Sequence, residues 1–321
     1  MNRDSLYNIK SVILGHNVGD ALGVPVEFES REARDMRAVV GMEGYGTFPV
    51  PAGSWSDDSS MTLCALDVLA EEGFTERTYD KTMGNFIKWL SDAKFTPTGM
   101  TFDVGGTCYS AVCNYVKNGC LATESGGTDE LSNGNGSLMR ILPFALNMYY
   151  TAREEFGKKC YSVIRDASAL THAHERSKVS CCIYANVLWH ILDNPTIESV
   201  HKALKESAEE FLGNKEYDYF RRIFSEGFKD IDRKLIKSTG YVIDTLEASL
   251  WCLLTTDNYT DCVLKAVNLG GDTDTIAAIA GGLAGALYGL DTIPEEWLDV
   301  LQRRQWIEEM CKKADENWNT K

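Results

Sequence analysis

Glycine recurs at every fourth position in two distant stretches: Gly15, Gly19 and Gly23 near the start, and Gly281, Gly285 and Gly289 near the end. Residues four apart share one face of a helix. Each glycine costs a helix about 1 kcal/mol relative to alanine. Three in register therefore predict two helices whose backbones approach a neighbour closely, both central and tightly packed. The rest of the chain also reads as helix. Apolar residues at three and four spacing mark "SSMTLCALDVLAEEG" (59–73), "YDKTMGNFIKWLSDA" (79–93), "SKVSCCIYANVLWHILDN" (177–194) and "VIDTLEASLWCLLTT" (242–256). No alternating run is bounded by hairpin turns. The expected fold is all-α, a single compact domain over residues 1–321, long enough to bury a sizeable core. Two Gly-rich tracts, 41–55 and 122–137, read as loops. The charged, amphipathic stretch 206–235 is expected to lie outside the core, as a solvated face or a flap.

Charge and composition exclude several classes. The formal net charge of -15 opposes nucleic acid and anionic lipid, and the Lys and Arg residues are scattered without a basic patch. The longest apolar run, 276–290, is Gly/Ala-rich and short of the ~20 residues that span a bilayer. The N-terminus lacks a signal-peptide pattern. Ten cysteines form no CxxC pair and stand near no histidine at zinc spacing. They read as reduced thiols of a cytoplasmic protein, and neither a membrane nor a nucleic-acid partner is expected.

Two acidic clusters open helices. "GSWSDDSSM" carries Ser56, Asp57 and Asp58; "GGDTDTIAA" carries Asp272, Asp274 and Thr275. Carboxylates there complement the helix dipole and commonly cap the end, which is the plainer account of each cluster alone. It weakens when the two are joined, because each helix start offers two carboxylates and a hydroxyl where one cap suffices. Should the clusters face each other, four carboxylates share one site, and like charges ~4 Å apart repel by ~4 kcal/mol at an effective dielectric near 20. Protonation or a cation must relieve that. An all-oxygen donor set suits Mg2+, Mn2+ or Ca2+ rather than zinc or copper, and two divalent ions would balance four carboxylates. An EF-hand loop beginning at Asp272 fails, since Ala277 and Leu283 stand where Gly and Glu are needed. A DxDxT phosphatase motif fails at Ile276.

Five blocks, "ILGHNVGDALGVPVEF", "WSDDSSMTLCALD", "GNGSLMRILPFAL", "GYVIDTLEASLWC" and "NLGGDTDTIAAIAGGLAGALYG", together resemble the ADP-ribosylglycohydrolase family and run in its order. The resemblance spans about residues 11–290 and implies a compact all-α fold of the ADP-ribosylglycohydrolase type. It implies a site for two divalent cations, Mg2+ or Mn2+, and hydrolytic release of ADP-ribose from a modified residue. It assigns Ser56, Asp57 and Asp58, then Asp272, Asp274 and Thr275, to the metal site, with Ser56 standing where threonine is usual. Glu27 matches an acidic residue near the metals. Gly134, Asn135, Gly136 and Ser137 fall on the loop that receives the ADP-ribose phosphates, where free N–H groups suit an anion. His172 matches a residue near the nucleotide moiety, Asp103 an acidic residue near the scissile bond of arginine-directed members, and Tyr241 a residue of the same pocket. Asp20 reads as buried support.

The implied chemistry fits the donor set. Hard dications pair well with ribose hydroxyls, and cleavage of the glycosidic bond builds oxocarbenium character. Glu27, Asp103 and Asp272 are the candidate catalytic carboxylates, and either Glu27 or Asp103 can serve as general base. "GNGSLMR" is closest to the arginine-directed branch. The expected partner is an ADP-ribosylated protein or a small ADP-ribose conjugate. Serine-linked, nucleobase-linked or other ADP-ribose and a non-catalytic, crystallin-like ADP-ribose binder remain as alternatives.

Overall fold

The first glycine stripe lies in helix α1 (Ser5–Gly23), and the second begins in a helix near the C-terminus, Thr273–Tyr288. The structure, a computed structural model, describes residues 4–152 and 156–319. Between these two helices run α2 (Arg31–Met36), α3 (Asp57–Glu72), α4 (Thr78–Asp92), α5 (Gly106–Asn118), α6 (Leu142–Ala152), α7 (Lys158–Ala169), α8 (Glu175–Asp193), α9 (Ile197–Glu210), α10 (Val242–Leu254) and α11 (Tyr259–Val267). The second striped helix is α12, and α13 (Glu295–Val300) and α14 (Arg304–Trp318) complete the chain. No β-strand occurs among the described residues. Two isolated bridges, Gly127 with His172 and Gly134 with Tyr241, tie the 122–137 loop to its surroundings.

Backbone meets backbone where α1 crosses α12. A Cβ added to Gly19 would stand 2.1 Å from the Ala277 carbonyl oxygen, and one on Gly15 2.5 Å from that of Gly281. One on Gly285 would stand 2.0 Å from the carbonyl oxygen of Ser11. The pairs run in opposite directions along the two helices, so the C-terminal end of α1 meets the N-terminal end of α12. Gly23 is the last contact: its Cβ would fall 2.3 Å from the Asp274 Cα. This crossing delivers the residues after α1, Glu27 among them, to the first turn of α12. Gly289 departs from the expected stripe. It lies past the end of α12 at φ +100 and terminates the helix.

The buried apolar side chains from Ile9 to Trp318 form one cluster. Around α12 pack α1, α11, α10, α8 and α3, and α14 closes against α3 and α1. All ten cysteines are free thiols, and burial raises those of Cys181 and Cys182 above the ordinary thiol range. No helix among the described residues is long and apolar enough to cross a membrane.

The stretch 206–235 corrects its expectation. Short 3₁₀ turns there carry Phe220, Ile223 and Phe228 into the core. Its charges suggested a solvated face, but several are paired: Glu216 with Arg176 and Arg222 with Glu247. Arg176 also stacks 3.5 Å from the ring centroid of Tyr219.

Candidate catalytic and metal-binding site

The two acidic clusters face one another. Thr275, on the first turn of α12, donates its hydroxyl to Oδ2 of Asp58 at 3.1 Å, and Ser56 donates to the same oxygen at 3.1 Å. Capping does not explain these carboxylates. On α3 the Ser56 hydroxyl caps by accepting from the Asp58 N–H, and on α12 Asp272 makes no side-chain cap bond. Two further backbone donors at the head of α3 are met from another helix. Asp20 of α1 accepts from the N–H of Ser56 and of Ser59, each at 2.9 Å, and from the Ser59 hydroxyl at 2.6 Å. Asp20 is thus buried support, as its place in the glycine stripe suggested, and burial raises its carboxyl to about 6.

Two left-handed glycines aim the second cluster. Gly270 and Gly271 take φ +72 and +76, and the turn they make is fastened on both sides. Phe28 donates its N–H to the Gly271 carbonyl at 2.7 Å, and Gly271 donates to that of Glu29 at 2.8 Å. Asp272 then projects over the site, where Asn135 donates to its Oδ2 at 2.7 Å.

A cleft of about 270 Å³ opens at these residues, lined by Glu27, Phe28, Asp57, Asp103, Asp272 and Thr275. Gly105–Cys108, Gly134, Asn135, Gly136, Met139 and His172 complete the lining. Carboxylate oxygens of Glu27, Asp103 and Asp274 lie within 4.8 Å of one another. Of the residues expected as metal ligands only Asp274 belongs to this closest set; the two others were expected as catalytic. Asp57 accepts from the Gly105 N–H at 3.3 Å, and Asp58 lies beneath the floor.

Three buried oxygens here have no hydrogen-bond partner: Oε2 of Glu27, Oδ1 of Asp58 and Oδ2 of Asp274. An unmatched buried acceptor costs about 1–3 kcal/mol, and more when charged. Burial and then mutual repulsion push the carboxyls upward. Glu27 rises to about 10 and Asp103 to about 6, while Asp57, Asp58 and Asp274 also stand well above the usual range. Orphaned hard oxygens crowded into one space are the donor set a divalent cation fits.

The glycine-rich loop borders the same cleft. Asn135 donates its N–H to Gly240 at 3.0 Å, and Val242 donates to Asn133 at 3.0 Å, so the loop is fastened to the start of α10. Side chains at Gly134 and Gly136 would strike His172, whose imidazole is held neutral, near 3, by burial and then by the Arg140 charge. Arg140 is itself fully buried and donates to Ala167 and Thr171, fixing the turn that carries His172. Two expected binding residues stand elsewhere. Ser137 is buried, bonded to the Ser168 hydroxyl at 3.0 Å, so its side chain faces the core rather than the cleft. Tyr241 does not line the cleft; its hydroxyl accepts from Arg176 at 3.0 Å behind the loop.

Sequence reading missed Phe28, Cys108 and Gly105–Thr107 as lining residues. Phe28 and Asp103 share a signal visible only in three dimensions, left-handed backbones at φ 66 and 50.

An all-helical protein that sets a crowded group of buried carboxylates beside a glycine-rich loop has the parts of a hydrolase. The chain belongs to the ADP-ribosylglycohydrolase family, whose model matches residues 1–321. It is 32% identical over 313 residues to the ADP-ribosylarginine hydrolase Tri1 of Serratia proteamaculans, covering 97% of this chain and 79% of that one. It is 31% identical over 294 residues to the ADP-ribosyl-[dinitrogen reductase] glycohydrolase of Rhodospirillum rubrum, with 91% and 89% covered. A solved structure described as an ADP-ribosylglycohydrolase-related protein complex superposes with a TM-score of 0.81 at 28% identity, over 98% of this chain and 99% of that one.

Proposed function

We propose that this chain, as one domain, hydrolyses the N-glycosidic bond between ADP-ribose and an arginine side chain of a modified protein. The observation that carries the reading is the carboxylate set Glu27, Asp103 and buried Asp274, the first two lining a cleft that they share with a glycine-rich loop. Similarity to two proteins named for arginine-linked and dinitrogen-reductase-linked ADP-ribose supports the acceptor. Ten free thiols fit a cytoplasmic setting.

Asp57, Asp58, Asp272 and Asp274, with Glu27 beside them, would hold two divalent cations, Mg2+ or Mn2+. When bound, such ions supply Lewis-acid binding of ribose hydroxyls and charge compensation for the carboxylates. The protein's own groups do the rest. The N–H groups of Gly134 and Gly136 receive the diphosphate, and neutral His172 adds a hydrogen-bonding edge without bringing a charge. The carbon–nitrogen bond lengthens as positive charge builds on the ribose ring, and the surrounding carboxylates stabilise that charge. Asp103 is partly accessible, and its carboxyl at about 6 is ionised at neutral pH; it takes a proton from the attacking water. Water oxygen bonds to the anomeric carbon, and the guanidine nitrogen leaves with the bonding pair and takes up a proton. The products are ADP-ribose and the unmodified arginine side chain of the protein.

The test is release of ADP-ribose from arginine- and serine-ADP-ribosylated proteins with Mg2+, with EDTA, and with Asp272→Ala plus Asp274→Ala. Release from arginine that is lost with EDTA and in the double variant is the expected outcome. Release from serine alone would move the acceptor, and release that survives EDTA and both substitutions would remove the cation site.

A further inference from the structure

Phe28 is a large apolar side chain left 69% exposed at the rim of the cleft. Its backbone stands in the left-handed region at φ 66, which costs a residue with a Cβ about 1–2 kcal/mol. That conformation is held on both sides. The Phe28 N–H is bonded to Gly271, and Glu29 donates to Val26 at 3.1 Å. Phe28 therefore sits between Glu27 and the turn that delivers Asp272. No other aromatic ring among the described residues packs on it. An exposed ring in a strained, pinned backbone gains nothing from the fold itself.

The cleft has two unlike ends. Gly106 and Thr107 are shared with a larger polar groove of about 750 Å³, which extends past Gly126, Gly127 and Ser132. This end is roomy, polar and close to the glycine-rich loop, so it suits the nucleotide part of the ligand. Phe28 does not line that groove; it lines the cleft with Glu27, Asp103 and Asp272. The group that leaves the sugar in the proposed reaction is a planar, delocalised cation. A guanidinium lies well on an aromatic face, and carboxylates beside the ring add charge complementarity.

We propose that Phe28 is the acceptor-side specificity residue, whose ring stacks on the guanidinium of ADP-ribosylated arginine. The inference rests on the arginine-directed reading above. Its geometry favours a flat cationic acceptor over a small neutral one such as serine, which cannot cover the ring.

Steady-state hydrolysis of ADP-ribosyl-arginine by wild type, Phe28→Ala and Phe28→Trp tests this, alongside calorimetric binding of free ADP-ribose to each. Phe28→Ala is expected to lower kcat/KM about five- to thirty-fold, the range of a partly desolvated cation–π contact. Most of that loss should appear in KM, Phe28→Trp should restore the value, and ADP-ribose affinity should stay within about twofold. An equal loss of ADP-ribose affinity in Phe28→Ala would place the ring on the nucleotide side and overturn the proposal. An unchanged kcat/KM would overturn it too, while leaving the arginine-directed activity standing. Wild type that releases nothing from arginine would sink the functional reading first, a result visible before any variant is compared.

Discussion

At the scale of single residues, the site is governed by how its carboxylates are satisfied. Asp20 and Asp274 are both buried carboxylates within the α1–α12 pair, yet their surroundings differ. Asp20 accepts three hydrogen bonds from the head of α3, whereas Asp274 accepts one, from the Thr275 N–H, and leaves Oδ2 unmatched. The first pattern is structural, and the second leaves an acceptor that the proposed cation would satisfy. Replacing Asp20 by Ala strands two helix N–H groups and is expected to cost about 2–4 kcal/mol in urea unfolding. Asp103 behaves differently. Asp103→Asn should lower kcat for ADP-ribose release about 10²–10⁴-fold, as for loss of a general base, with the melting temperature held or slightly raised. Because the base must be ionised, the rate of the cation-loaded wild type should fall on the acid side, below the value of about 6 that burial and the Asp272 charge set without the cation. A bound cation moves that limb lower, and the limb should vanish in the variant. A rate that keeps its acid limb in Asp103→Asn would hand the role to another group, with Glu27 first in line.

Among elements, the α1–α12 crossing decides whether the site can form at all. Gly19→Ala forces a methyl against the Ala277 carbonyl, backbone against backbone, with no flexible side chain to yield. The expected cost is about 3 kcal/mol or more, read as a lower urea midpoint, together with weakened cation binding as the two ends drift apart. Gly84, inside α4, is the matched control. A Cβ there meets nothing within 4 Å, so Gly84→Ala should stabilise by about 0.5–1 kcal/mol. Much of this arrangement could be read from the chain. The four-residue glycine spacing announced the crossing, and Ser-Asp-Asp and Asp-Thr-Asp-Thr announced the two acidic helix heads, because both signals are local. Other features depend on groups far apart in sequence. The closest carboxylate set takes Glu27 and Asp103 from opposite sides of α3, and the exposed ring of Phe28 depends on a φ that no composition reveals. The 206–235 stretch looked solvated for the same reason. Glu216 and Arg222 find their partners Arg176 and Glu247 only once the helices have assembled.

For the whole molecule, the crowded carboxylates make stability a function of pH and cation together. In the cation-free protein, burial raises Asp20 to about 6, and burial with repulsion raises Asp103 to about 6 and Glu27 to about 10, all above their unfolded values near 4. Groups raised in this way bind protons more tightly when folded. Stability is therefore highest below the unfolded values and falls as pH rises, through about 6 for the two aspartates and on toward 10 for Glu27. Without added metal, the melting temperature should drop by about 5 °C or more between pH 5 and pH 8. A divalent cation answers the same repulsion and competes with the protons for the same oxygens. At a hundred times its Kd a single ion adds about 2.7 kcal/mol. The rise in melting temperature on adding Mg2+ should accordingly be larger at pH 8 than at pH 5, and it should disappear with Asp272→Ala plus Asp274→Ala. Scanning calorimetry at both pH values, with EDTA and with Mg2+, reads all of this without any turnover. A cation effect equal at the two pH values would mean that the ion sits away from these carboxylates, and a cation-free protein that gains stability toward pH 8 would mean that they are not crowded as the structure places them.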